Sequence, residues 1–92
     1  MFTVTQEADT IYKVDMEIPL NKTEEEILDL AKYEWPKFNK LLFQKHVKLA
    51  SNIPPYIILY MAHSITHTTA TISLLVGDRY IKCIEHLDMY PD

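Results

Sequence analysis

Gly77 is the only glycine in the chain, and it lies within the stretch from Thr71 to Ile84, where the apolar and polar pattern is clearest. Loops that cradle a phosphate need several glycines, because their backbone amides must approach the anion closely in dihedral angles that a Cβ atom forbids. A single glycine cannot build the usual nucleotide or dinucleotide loops. The sequence therefore argues against a nucleotide-binding enzyme before any motif is considered.

Length and composition predict one compact domain over residues 1–92. A chain of this size buries a modest core but is short for an enclosed, water-excluding active site. The hydrophobic fraction of 48% is typical of a folded protein rather than a disordered one. The sequence shows no leader pattern and no apolar run long enough to span a bilayer, so we expect neither secretion nor a membrane partner.

Cys83 is the only cysteine, so no internal disulfide can form, and a cytoplasmic location is the expectation. We expect its side chain to be buried as a small hydrophobe. A pairing of Cys83 with His86 for nucleophilic catalysis would need a β-bulge, because the two positions point to opposite faces of a regular strand.

Apolar and polar residues alternate through Phe2 to Ile18, which is the two-residue period of a half-buried strand. Polar residues at 6–10 interrupt the alternation. The pattern therefore predicts a hairpin of residues 2–6 and 11–18, ended by Pro19.

A capping box predicts a helix that begins at Thr23, because Glu26 follows it by three residues. Ile27, Leu30 and Ala31 give this helix an apolar face. Pro36 predicts a kink or a break, so we expect two helical segments, at about 23–34 and 36–50.

The last third of the chain predicts three strands. Residues 56–62 are rich in β-branched and aromatic side chains and favour a strand, although the prolines before them are also compatible with a helix start. Gly77 and Asp78 predict a two-residue hairpin turn. In that register five side chains should face the core: Ile72, Leu74, Val76, Ile81 and Cys83.

Together these elements predict an α+β fold in the order ββ-αα-βββ. We expect an antiparallel sheet of four to five strands, with one kinked helix or two short helices packed on one face. An edge strand of such a sheet, or a helix, could pair with a second copy to form a homodimer.

Charge is distributed unevenly: residues 1–34 hold nine acidic residues and three lysines, whereas residues 35–92 hold four acidic and six basic residues. The acidic half predicts a negative surface that a larger protein could recognise. The sequence does not identify this partner protein. The predicted partner-binding residues are Glu7, Asp9, Asp15, Glu17, Glu24, Glu25, Glu26 and Asp29.

We expect no enzyme activity and no cofactor, because the chain has no nucleophile paired with a base. The leading interpretation is a non-catalytic inhibitor or adaptor, with an anti-host or anti-defence role as one version of it. A surplus of tyrosines, including Tyr90, supports this interpretation, since tyrosine is favoured at interfaces.

Two alternatives stay open. One is nucleic-acid binding by a basic helix at 37–48, although the net negative charge of the chain disfavours it. The lysines of this predicted helix are Lys37, Lys40, Lys45 and Lys48. The other is a weakly indicated metal site, because His63 and His67 would share one face of a helix; His86 is the third candidate ligand.

Overall fold

A computed structural model describes residues 1–86. Its single sheet has five strands in the order β1-β2-β3-β4-β5. The elements are β1 (Phe2–Ala8), β2 (Ile11–Met16), α1 (Glu24–Glu34), a 3₁₀ helix (Trp35–Phe38), α2 (Asn39–Leu42), β3 (His46–Leu49), α3 (Pro55–Ile65), β4 (Thr71–Val76) and β5 (Arg79–Glu85). The α+β class, the five strands and the helices packed on one face are confirmed.

The two outer strand pairs are antiparallel hairpins, as predicted, but the two central pairs are parallel. Parallel neighbours need a crossover connection. The helical segment from α1 to α2 carries the chain from β2 to β3, and α3 carries it from β3 to β4. Crossovers of this kind are right-handed, and the strand order advances in one direction, so both connections lie on the same face of the sheet.

The core fills the space between the helices and that face of the sheet. Alternate residues of β2 and β3 are buried there, and the helices bury one stripe each. The side chains with no exposed surface include Val14, Ala31, Trp35, Leu42, Val47, Leu49, Ile57, Met61 and Ile65.

The second predicted helical segment, 36–50, is too long. The helix ends at Leu42, Gln44 takes a left-handed backbone conformation, and β3 begins at His46. The alternation of buried Val47 and Leu49 with partly exposed Lys48 is the two-residue period of a strand, which favours β3 over a helix here.

Residues 56–62 were predicted as a strand and instead belong to the helix α3. Pro54 and Pro55 begin this helix, where a missing amide donor costs nothing. Ile57, Met61 and Ile65 follow at four-residue spacing and are all fully buried. That four-residue spacing predicts a helix, and it outweighs the β-branched composition, which favours a strand.

The closing hairpin has the predicted Gly77 turn and the expected pairing as far as Ser73 with Lys82, but the register shifts by one residue beyond that pair. Ile72 pairs with Ile84 while Ser73 pairs with Lys82, so Cys83 is an extra residue in a β-bulge. Cys83 is therefore exposed rather than buried, and Ile84 takes the inward position. Val76 is also mostly exposed, since it directly precedes the turn.

The Gly77 turn gives a direct test of the hairpin. Gly77 has φ +66°, and within residues 1–86 no atom beyond Gly77 and its two chain neighbours lies within 4 Å of the site where its Cβ would stand. Gly77→Val should therefore lower the free energy of unfolding by about 1 to 3 kcal/mol through backbone strain alone. Gly77→Asn is the matched control and should cost less, since asparagine tolerates a left-handed conformation. Urea unfolding measures both, and equal losses would contradict the strain explanation.

Candidate functional site

The acidic N-terminus of α1 is built by its predicted capping box. The Thr23 hydroxyl accepts a hydrogen bond from the Glu26 amide at 3.2 Å, and the Glu26 carboxylate accepts one from the Thr23 amide at 2.9 Å. These two bonds fix the start of the helix. Glu24, Glu25 and Glu26 then occupy the first turn, where negative charge complements the positive end of the helix dipole.

The capping box also holds Glu26 in its charged form. The hydrogen bond from the Thr23 backbone and, after it, that with the Thr23 side chain lower the pKa of Glu26 below its ordinary value of 4.5. Slight burial opposes this effect, and the nearby charge of Lys22 assists it. Glu26 is therefore an anion at neutral pH.

Apolar side chains lie among these acids on the outward face of α1. Ile27 and Ala31 are buried, whereas Leu30 and Tyr33 are 39% and 73% exposed. Leu30 was predicted to lie on the apolar core face of the helix, but it lies on the outward face. We call this outward face the α1 surface, and define it as Glu24, Glu25, Glu26, Asp29, Leu30 and Tyr33.

Leu30 forms a ridge between two recesses. One has a volume of about 270 Å³ and is lined by Lys22, Glu26, Asp29 and Leu30. The other has a volume of about 400 Å³ and is lined by Met1, Glu17, Pro19, Leu30 and Glu34. Each recess therefore holds two carboxylates beside the same apolar side chain, together with Lys22 in the first recess and with Met1, whose amino group lies 3.4 Å from Glu34, in the second.

Ion pairs do not neutralise the α1 surface. Within residues 1–86, Glu7 pairs with Lys48 at 2.9 Å, Glu85 pairs with Lys82 at 3.3 Å, and Glu34 lies 3.4 Å from the Met1 amino group. None of the four acids of the α1 surface takes part in these pairs. Their charge is thus presented to solvent, next to exposed Leu30 and Tyr33.

The predicted acidic set is divided between two faces of the molecule. Asp15 alternates with the inward-facing Val14 and Met16, and Glu7 reaches Lys48, so both lie on the face of the sheet opposite the helices. Asp9 lies in the turn between β1 and β2. Of the four predicted acidic residues that precede α1, only Glu17 lies beside this helix, in the second recess.

The four lysines of the predicted basic helix do not share one helix. Lys37 belongs to the 3₁₀ helix, Lys40 to α2, Lys45 to the turn before β3, and Lys48 to β3. Lys37 lies over the Tyr33 ring at 4.5 Å, and Lys48 over the Tyr80 ring at 5.1 Å. The basic face that the helix interpretation required is therefore not formed.

The candidate histidine ligands are not arranged as a metal site. The rings of His67 and His86 stack with centroids 5.7 Å apart and planes 6° apart, while His63 lies one turn back on α3. Each imidazole lone pair lies in its own ring plane, so stacked rings do not converge on one ion. In the described part of the chain, no three histidine, cysteine or carboxylate groups could hold a metal.

The bulge at Cys83 does not create a nucleophilic pair. The Cys83 thiol contacts the Ile81 carbonyl at 3.3 Å, whereas the His86 ring packs on His67. Tyr90, which was predicted to be an interface residue, lies outside the described residues.

No protein-family model matches the chain, and neither a curated protein nor a solved structure gave a match. Of the helices that the structure describes, none combines the length and the apolar character needed to cross a membrane.

The contribution of the Thr23 hydroxyl to the stability of the protein should be measurable. Thr23→Ala removes the acceptor of the Glu26 amide and should lower the free energy of unfolding by about 1 kcal/mol. Thr10→Ala, an exposed threonine in the turn after β1, is the control and should have little effect. No difference between the two variants in urea unfolding would mean that Thr23 does not act as the cap.

The Glu26 carboxylate should make part of the stability dependent on pH. Because its pKa is lowered in the folded state, its contribution is present above about pH 4.5 and is lost as the pH falls through the folded value. Glu26→Gln should therefore destabilise the protein more at pH 7 than at pH 3. Urea midpoints at both pH values test this, and an equal effect of the substitution at both would contradict it.

Proposed function

We propose that the protein is a small non-catalytic binding domain that inhibits or recruits a larger protein by occupying part of its surface. The α1 surface carries the proposal, because exposed Leu30 and Tyr33 share this helix with four carboxylates that have no ion-pair partner within residues 1–86. Lys37, which lies over the Tyr33 ring, is at the opposite end of the surface from Glu24, Glu25 and Glu26. An apolar centre with a polar rim is the usual anatomy of a protein interface.

The chemistry of this surface defines the partner. A complementary surface carries basic side chains around an apolar one, so that the apolar group contacts Leu30 and the cations face the unpaired carboxylates of the α1 surface. Tyr33 is suited to the centre of such a contact, since tyrosine buries a large area with little loss of side-chain entropy. Basic grooves that bind nucleic acid are one class of target, which would suit an anti-host or anti-defence inhibitor.

Two further expectations belong to this proposal. A cytoplasmic location agrees with a lone, exposed thiol at Cys83, because such a thiol persists best in a reducing compartment. Self-pairing is available at β1 and β5, which are the two edges of the sheet.

The test is affinity capture from the cells in which the protein is naturally made. A double variant, Glu25→Lys with Asp29→Lys, reverses two charges of the α1 surface and leaves the capping box intact. We expect it to lose a partner that the wild type retains, with association that weakens as salt is added.

The matched control is Asp9→Lys with Asp15→Lys, which changes the net charge equally but lies on the first hairpin. This control should retain the partner. If only the control loses the partner, the interface lies on the first hairpin. If both variants lose the partner equally, the effect comes from net charge and not from the α1 surface. Tyr33→Ala should weaken the same complex without changing the net charge.

A further inference from the structure

A third recess lies between α2 and the C-terminal end of α3. Its volume is about 310 Å³, and it is lined by Asn39, Lys40, Phe43, Ser64 and Thr68. It shares no residue with the α1 surface. The volume is at the lower end of the range for small-molecule sites, so it suits a ligand with one ring rather than a cofactor.

The backbone holds Phe43 at this recess. Gln44 follows it with φ +59°, a conformation that costs a residue other than glycine about 1 kcal/mol or more. The Gln44 amide donates to the Thr68 carbonyl at 2.7 Å, and the Lys45 amide donates to the Leu42 carbonyl at 3.1 Å. This strained turn leaves the Phe43 side chain 50% exposed beside α3.

The α3 wall of the recess can only accept hydrogen bonds from a ligand. The Ser64 hydroxyl donates to the Met61 carbonyl at 2.9 Å, and the Thr68 hydroxyl donates to the Ile65 carbonyl at 3.2 Å. Both hydroxyl hydrogens are therefore in use. Ser64 Oγ also accepts a hydrogen bond from the Trp35 indole at 2.7 Å, so one lone pair of Ser64 and those of Thr68 suit a ligand hydroxyl.

The α2 wall supplies donors. Among the described residues that line this recess, Lys40 is the only charged one. Within residues 1–86 neither it nor Asn39 forms a side-chain hydrogen bond or an ion pair. An ammonium and an amide on the same rim suit a carboxylate, which accepts charge-assisted hydrogen bonds.

We propose that this recess binds a small aromatic carboxylate. The ring lies against Phe43, the carboxylate faces Lys40 and Asn39, and a hydroxyl on the far side of the ring donates to Ser64 or Thr68. This binding site does not depend on the function proposed for the α1 surface.

Trp35 provides an internal reporter for this site. It is the only tryptophan in the chain, it is fully buried, and its indole N–H donates to Ser64 Oγ at 2.7 Å. A ligand that hydrogen-bonds to Ser64 or fills the recess beside it changes the surroundings of the indole. Tryptophan emission therefore reports occupancy.

The experiment is a titration of the full chain with 4-hydroxyphenylacetate, followed by Trp35 emission. We expect a saturable change with a dissociation constant on the order of 1 mM, as for a ligand of this size. Lys40→Met should weaken binding about tenfold, because it removes the charge and keeps the length of the side chain. Lys37→Met, which removes a lysine that lies over Tyr33 outside the recess, should leave binding unchanged.

The uncharged analogue 4-hydroxyphenylethanol separates charge from ring contact and should bind about tenfold more weakly than the carboxylate. Phe43→Ala should abolish saturation, while near-UV circular dichroism confirms that the variant is folded. The proposal is overturned if the carboxylate gives no saturable change in the wild type. It is also overturned if Lys40→Met and Lys37→Met act alike, or if the two ligands bind equally well.

Discussion

The packing of Trp35 is the interaction on which the arrangement of the helices depends. Its ring centroid lies 5.1 Å from that of Phe2 in β1 and 5.8 Å from that of Phe38 in the 3₁₀ helix, and its indole N–H donates to Ser64 of α3. A buried indole needs such an acceptor. One side chain thus joins an edge strand, the end of α1 and α3. It fixes the direction in which α1 lies on the sheet, and hence which residues of α1 face outward.

Crossover connections explain why the two candidate sites lie on the same layer. The helices cover one face of the sheet, and the residues that pair them with the strands are apolar and fully buried. On the opposite face, the charges of Lys48 and Glu7 neutralise each other, whereas Asp15 forms no ion pair within residues 1–86. On the helices, unpaired charge lies next to exposed apolar side chains, both at α1 and at the recess between α2 and α3.

Local signals in the sequence predicted the parts of the fold that local chemistry determines. The first hairpin, the capping box at Thr23 and the Gly77 turn are all present, because each depends on a few neighbouring residues. Residues 46–49 and 56–62 were assigned to the wrong element, since short apolar runs fit either period until the tertiary context selects one. The bulge at Cys83 could not be predicted, because it reflects pairing with β4. The acidic residues of α1 were found from charge alone, whereas the outward position of Leu30 required the packing of the whole helix.

Amide hydrogen exchange on the isolated complex tests the central claim that this protein binds its partner through α1. The α1 surface lies at the exposed side of a capped helix, so a bound partner should slow the exchange of the amides of Glu24–Glu34 relative to the free protein. The strands of the polar sheet face should exchange as before. Protection confined to that face or to residues 37–48, with α1 unchanged, would contradict the account.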